Sequence, residues 1–136
     1  MTSRFLQKAE TSLKSARILL DAGDADGACS RAYYAMYDAA RACLAWAGVE
    51  PVRGEFKTHH GLITAFSLHL VKPDIFPAEI GKALQNVQTL RLAADYEATP
   101  IPTEKAGQAI AAAERFVATA TALVVMSERG SAASPP

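Results

Sequence analysis

The side chains best suited to chemistry or binding lie near the end of one predicted helix, where Arg91, Asp95 and Tyr96 occur within six residues. Arg91 and Asp95 are four residues apart, so their side chains share one face of that helix. Local stability does not favour this order, because the cation precedes the anion and the helix dipole disfavours a carboxylate near the C-terminus. The sequence therefore leaves two interpretations, a weak surface ion pair or a contact of both side chains with a ligand or a partner.

A second polar group occupies one stripe of a helix that is otherwise apolar. Arg31, Asp38 and Arg41 lie on one face of the helix predicted over residues 26–47, with Asp38 three residues before Arg41. A polar stripe on a central helix must reach solvent or pack against another chain. We therefore expect either a solvated stripe with an Asp38–Arg41 ion pair or a face that forms a dimer.

A third group opens the next predicted helix, where Lys57, His59 and His60 surround the capping residue Thr58. Cationic donors beside a free helix N-terminus suit a phosphate group. Histidine also exchanges a proton near neutral pH, so His59 or His60 is a candidate catalytic base. The alternative is a polar helix start that packs on the preceding loop.

Other kinds of site find little support in the sequence. The histidines do not form an i, i+4 pair, and Cys29 and Cys43 lack the spacing of a zinc site. The two cysteines lie 14 residues apart on one predicted helix, too far apart to form a disulfide, so we interpret both as buried apolar residues. There is no glycine-rich phosphate loop between a strand and a helix. We expect no metal and no cofactor.

Composition excludes several classes of protein. The chain has 136 residues, of which 50% are hydrophobic, with 14 basic and 14 acidic side chains and two cysteines. This is too apolar for a disordered tail protein, too evenly charged for a polybasic nucleic-acid binder, and too poor in cysteine for a disulfide scaffold. The uncharged apolar run at 116–127 is shorter than the roughly 20 residues of a membrane span. We expect a soluble, cytoplasmic protein with no membrane segment.

The positions of apolar residues predict helices throughout. Apolar side chains recur at steps of three and four in five segments, separated by short connections and by proline or glycine, which is typical of an all-α up-and-down bundle. The second helix is apolar on two adjacent faces, so we expect it to be central. Residues 1–128 are predicted to form a single domain and 129–136 a disordered tail. The predicted helices cover residues 2–22, 26–47, 58–71, from about 77 to the residues before Pro100, and from 103 onward.

Three runs of sequence together resemble the HEPN domain family, and in particular its small stand-alone branch, whose genes often sit beside a minimal nucleotidyltransferase. These runs are SRAYYAMYDAARA at 30–42, KTHHG at 57–61 and RLAADY at 91–96. The resemblance extends from the first predicted helix to the last. The AYYA run and the Arg-x-x-x-Asp-Tyr run at this separation make it fairly specific, whereas either run alone is a weak signal.

The resemblance implies a bundle of four to five helices that forms a dimer. In ribonuclease members of the family, an Arg followed after four to six residues by a His acts at the dimer interface. There it cleaves RNA without a metal, with the 2′-hydroxyl as the internal nucleophile. In the toxin–antitoxin pairs, the nucleotidyltransferase silences its HEPN partner, in some cases by adenylylating a tyrosine beside that motif, which makes Tyr96 the corresponding candidate in this sequence.

The sequence departs from the ribonuclease pattern. If Arg91 is the motif arginine, the positions that would hold the histidine are Tyr96, Glu97 and Ala98. Tyrosine is a poor replacement, because its unperturbed pKa is near 10 whereas that of histidine is near 6.5. Asp38 also stands where relatives often carry histidine. We therefore do not expect ribonuclease activity by the usual route.

Three hypotheses follow. In the first, the chain is a HEPN-like homodimer in a two-gene toxin–antitoxin-type module, and it binds nucleotide, RNA or its nucleotidyltransferase partner without necessarily catalysing a reaction. The second is a metal-independent RNA-cleaving toxin that uses Arg91 with a non-standard base such as His59 or His60. The third is a purely structural interaction module. The groove in the first hypothesis is lined by Arg91, Asp95, Tyr96, Lys57, Arg31, Asp38 and Arg41.

Overall fold

Every regular element in the described part of the chain is helical. The computed structural model describes residues 2–51 and 56–133, with side chains described as far as residue 127. No strand occurs among these residues, so the predicted all-α class is confirmed. The elements are α1 (Thr2–Asp21), α2 (Ala25–Trp46), α3 (His59–Phe66), a π-helical turn (Ser67–Val71), α4 (Ala78–Gly81), α5 (Ala83–Glu97) and α6 (Thr103–Ala133).

Helix α2 is the centre of the bundle, as its two apolar faces predicted. It packs against α1, α3, α5 and α6. Its buried face is rich in alanine, and these small side chains let the neighbouring helices approach closely. Cys29 and Cys43 are both buried free thiols, which confirms their interpretation as apolar core residues.

The starts of the two helices that matter most for the site are fixed by side-chain caps. The Asp24 carboxylate accepts a hydrogen bond from the Gly27 amide at 2.8 Å, and the Thr58 hydroxyl accepts one from the Gly61 amide at 2.8 Å. Each cap satisfies a backbone donor that the helix itself leaves unpaired. Thr58 thereby places His59 in the first turn of α3.

Two predicted helices are less regular than expected. The third ends in the π-helical turn, and the fourth is divided at Lys82 into α4 and α5. The division follows a close approach of backbone to side chain, because a Cβ atom at Gly81 would come within 2.9 Å of the Val71 side chain. Glycine permits this packing but is a weak helix former.

Helix α6 extends beyond its predicted end. The helix covers Thr103–Ala133, so it includes residues 129–133 of the predicted C-terminal tail, and residues 134–136 lie outside the described part. Alanine is the best helix former, and one interior glycine costs only about 1 kcal/mol, so Ala132 and Ala133 can continue the helix past Gly130.

The hydropathy of α6 reflects its place in the core. Over Thr103–Ser127 the helix is long and apolar enough to cross a membrane. The core helices of soluble proteins meet the same criterion, so this is weak evidence for a membrane span. Its residues Ala106, Phe116, Val117 and Val124 are buried against the bundle. Packing in the bundle therefore accounts for part of this apolar surface, since 39% of the most apolar window is buried.

A long-range hydrogen bond fixes the connection between α5 and α6. The buried Ile101 amide donates to the Asp26 carboxylate at 2.8 Å, although the two residues are 75 positions apart. This bond joins the segment after α5 to the first turn of α2. It therefore helps to set the position of α5 on the central helix.

Replacement of Asp26 by alanine should lower the free energy of unfolding by about 1–3 kcal/mol, because it leaves the buried Ile101 amide without its acceptor. Asp26→Asn keeps an acceptor oxygen and should retain most of the stability. Urea denaturation of both variants measures the difference. Equal destabilisation by the two substitutions would show that this hydrogen bond is not the cause.

Candidate functional site

Three tyrosines of α2 and one histidine of α3 form an aromatic platform, comprising Tyr33, Tyr34, Tyr37 and His59. The Tyr33 hydroxyl lies 2.8 Å from His59 Nδ1. The His59 ring lies 4.9 Å from the Tyr37 ring and 5.8 Å from the Tyr34 ring, measured between centroids. Tyr37 lies four residues after Tyr33 and three after Tyr34, so helical spacing places its ring beside both, and the Thr58 cap brings His59 to them.

Arg91 extends from α5 to this platform. Its guanidinium carbon lies 5.0 Å from the centre of the Tyr33 ring and 5.5 Å from that of the Tyr34 ring, within the range of cation–π attraction. Its Nε donates to the Gln88 side chain at 3.0 Å, and Gln88 is itself buried. The guanidinium is thus held against α2, and three helices converge on one cationic, aromatic site.

Burial sets the protonation states at this site. Desolvation, followed by the charge of Arg91, lowers the pKa of His59 below its usual value, so the neutral imidazole is favoured near pH 7. Desolvation raises the pKa of Tyr33, which therefore stays protonated and hydrogen-bonded. A neutral imidazole beside a fixed cation can accept a proton from a ligand that Arg91 binds.

The thiol nearest this charge is not a nucleophile. Burial raises the pKa of Cys29 to about 11, although Arg91 acts in the opposite direction. Burial likewise raises the pKa of Cys43 to about 12. Both thiols are protonated at neutral pH and serve as core side chains.

The structure separates the two candidate histidines. His59 joins the platform, whereas the exposed His60 lies 3.5 Å from Thr64 on its own helix. Lys57 is exposed beside the cap of α3. Of the three predicted residues at this helix start, His59 therefore contacts Tyr33 and shares the platform with Arg91.

Arg91 and Asp95, which share a face near the end of α5, do not contact the same surroundings in the structure. In the described structure Arg91 reaches α2 and Gln88, and no ion pair joins it to Asp95. Asp95 is exposed, and Tyr96 is 86% exposed. Leu92, one turn before Tyr96, is also an exposed apolar side chain, at 38%. The end of α5 thus presents Leu92, Asp95 and Tyr96 to its surroundings while Arg91 turns inward.

The polar stripe of α2 faces α1 across an α1–α2 cleft of about 850 Å³. The predicted Asp38–Arg41 ion pair is confirmed, with 3.5 Å between Arg41 Nη1 and Asp38 Oδ1. Asp38, however, is only 7% exposed. Burial raises its pKa, while Lys8, Arg41 and Arg31 act to lower it. The cleft is lined by residues that include Arg4, Lys8, Arg31, Tyr34, Asp38 and Arg41.

Sequence reasoning missed two parts of this arrangement. The apolar pattern of the second helix indicates that Tyr33 is buried, but it does not indicate the contacts of Tyr33 with His59 and Arg91. Arg4 and Lys8 were not linked to the stripe on α2, although their i, i+4 spacing on α1 was a usable signal. Within the described residues, no cluster of three or more His, Cys, Asp or Glu side chains could hold a metal ion.

Comparison with known proteins places this geometry in a family. The HEPN domain family model matches residues 2–123. The chain is 38% identical over 91 residues to a UPF0332 protein of Gloeobacter violaceus, covering 67% of this chain and 68% of that protein. It is 32% identical over 112 residues to a protein named "Putative toxin" of Methanocaldococcus jannaschii, covering 82% of this chain and 80% of the relative.

These matches span the helices that carry the aromatic platform, Arg91 and the α1–α2 cleft. They agree with the all-α bundle and with the resemblance identified from the three sequence runs. The chain is a member of the HEPN domain family.

Proposed function

We propose that this HEPN protein is the RNA-directed component of a toxin–antitoxin-type module, in which it acts as a homodimer beside a nucleotidyltransferase partner. The observation that carries the proposal is the convergence of Arg91 and His59 on the Tyr33 and Tyr34 rings. A guanidinium binds phosphate and a neutral imidazole accepts a proton. The buried Tyr33 ring and the half-buried Tyr34 ring hold these two groups in place. The relative named as a toxin supports this assignment.

The same geometry supplies a replacement for the histidine missing after Arg91. His59 removes the proton from a ribose 2′-hydroxyl, whose oxygen then bonds to the adjacent phosphorus as the bond from phosphorus to the 5′-oxygen breaks. The departing 5′-oxygen takes up a proton from solvent, so the products are a 2′,3′-cyclic phosphate and a 5′-hydroxyl. Arg91 stabilises the negative charge that develops on the phosphate oxygens.

A dimer would extend the site. Leu92 and Tyr96 lie one turn apart and expose apolar surface on the same face of α5. Exposed apolar surface of this kind is buried when two chains associate. Contact between two copies of α5 would bring Asp95 and Tyr96 of both chains into a shared groove. Arg91 lies on the same helix.

Cleavage of a single-stranded RNA by the purified protein, without added metal, tests the proposed reaction. His59→Ala and Arg91→Ala should each reduce the rate about a hundredfold or more, because they remove the base and the charge that stabilises the transition state. His60→Ala is the matched control and should retain the rate. Intact RNA with the wild-type protein, or equal rates for the two histidine variants, would refute the reaction.

The pH dependence offers an independent check of His59. Because its pKa is lowered, the base should remain neutral further into the acid range than an ordinary histidine. The cleavage rate should fall as pH decreases, with a midpoint below about 6.5. Arg91→Ala should raise the pKa of His59, since it removes a repelling charge, and NMR titration of the imidazole would measure this. An unchanged pKa in Arg91→Ala would exclude the electrostatic coupling.

A second candidate function is that of substrate for the partner enzyme, and the exposure of Tyr96 favours it. The tyrosine oxygen would bond to the α-phosphorus of ATP while pyrophosphate leaves and the phenolic proton is lost. Incubation with the nucleotidyltransferase and ATP should add one AMP group, visible by intact mass, and Tyr96→Phe should abolish the addition. Tyr34→Phe is the control and should still be modified. An unmodified wild-type chain would eliminate this role.

A further inference from the structure

The α1–α2 cleft concentrates positive charge in a chain whose charges balance overall. Among the described residues that line it, Arg4, Lys8, Arg31 and Arg41 are cationic and Asp38 is acidic. The whole chain has 14 basic and 14 acidic side chains. Cations gathered in one opening attract and hold anions.

Two of these arginines are held in position by aromatic rings. The Arg41 guanidinium carbon lies 4.2 Å from the centre of the Phe5 ring, and Asp38 pairs with the same side chain. The Arg31 guanidinium carbon lies 5.2 Å from the centre of the Tyr34 ring. A guanidinium that is already positioned loses less conformational freedom when it binds a phosphate.

The cleft meets the aromatic platform at Tyr34. Arg31 and Arg91 both lie over this ring, at 5.2 and 5.5 Å from its centre, so their guanidinium carbons are at most about 11 Å apart. A strand in a duplex advances roughly 3.4 Å along its axis per nucleotide, so this upper limit corresponds to at most about three nucleotides. One strand can therefore contact both arginines at once.

We propose that the α1–α2 cleft binds the phosphates of a single-stranded RNA next to the Arg91–His59 site, so that the substrate is a strand of several nucleotides. This inference rests on the proposed function, and it names the form of RNA that the site takes. Arg31 and Arg41 bind phosphates from α2, while Arg4 and Lys8 extend the track along α1. The Tyr34 ring, which contacts the guanidinium groups of both Arg31 and Arg91, holds these two arginines side by side for the phosphate contacts.

Binding of non-cleavable 2′-O-methyl RNA separates the cleft from the reaction. Fluorescence anisotropy would compare labelled strands of two and about ten nucleotides at several salt concentrations. The double variant Arg4→Gln/Lys8→Gln should bind the longer strand roughly tenfold more weakly. Its plot of log affinity against log salt should be shallower by about 1.4, because each phosphate contact on a single strand contributes about 0.7. In the wild-type protein the longer strand should bind more tightly than the dinucleotide.

The matched control is Lys14→Gln/Lys105→Gln, which removes the same charge from exposed positions outside the cleft. It should keep the wild-type affinity and salt dependence. Circular dichroism and thermal melting would show that both double variants are folded. Equal losses in the two double variants, or no loss in Arg4→Gln/Lys8→Gln, would overturn the assignment of the cleft.

The experiments distinguish failure of the cleft assignment from failure of the proposed cleavage reaction. If the wild-type protein binds the longer strand through the cleft but leaves unmodified RNA intact, the proposed cleavage fails and the cleft assignment stands. If unmodified RNA is cleaved but the cleft variant binds like its control, the reaction stands and the cleft assignment fails. If neither strand binds to the wild-type protein, the cleft assignment is refuted, and the cleavage assay with unmodified RNA alone decides the reaction.

Discussion

The contact of the Arg91 guanidinium with the rings of Tyr33 and Tyr34 is the interaction on which the candidate site depends. It brings a permanent charge from α5 onto the central helix, where solvent is partly excluded. In that environment a charge acts more strongly on its neighbours than it would in water. Burial is the larger cause of the lowered pKa of His59, and the charge of Arg91 lowers it further. The same charge opposes the rise that burial causes in the pKa of Cys29.

Different faces of helix α2 lie in three different environments. Its alanines and cysteines pack in the core, its tyrosines form the platform with His59, and its polar stripe lines the cleft against α1. Each surrounding occupies a different part of the helix circumference, which is possible because the helix has neighbours on several sides. The geometry of the aromatic platform and of the α1–α2 cleft therefore depends on the same packing that stabilises the bundle.

The sequence predicts the local structure well where local chemistry decides it. Thr58 caps its helix as predicted, and Asp24, another typical capping residue, caps α2. Predicting the site is harder because helical spacing identifies only neighbours on one helix. Helical spacing predicted that Arg91 shares a face with Asp95. In the structure, tertiary packing turns the guanidinium toward α2 and Gln88 instead. Asp38 was recognised as polar, but its burial depends on α1, which lies beyond the range of any local pattern.

The position of Tyr34 between two guanidinium groups has a thermodynamic consequence. Arg31 and Arg91 both contact its ring, so an anion that draws either arginine away changes the surroundings of the other. An anion bound by one arginine would then alter the affinity of the other arginine for a second anion. By linkage, the effect is equal in both directions. A single aromatic side chain would thus make the two guanidinium groups, and any anions that they bind, energetically interdependent without movement of the helices.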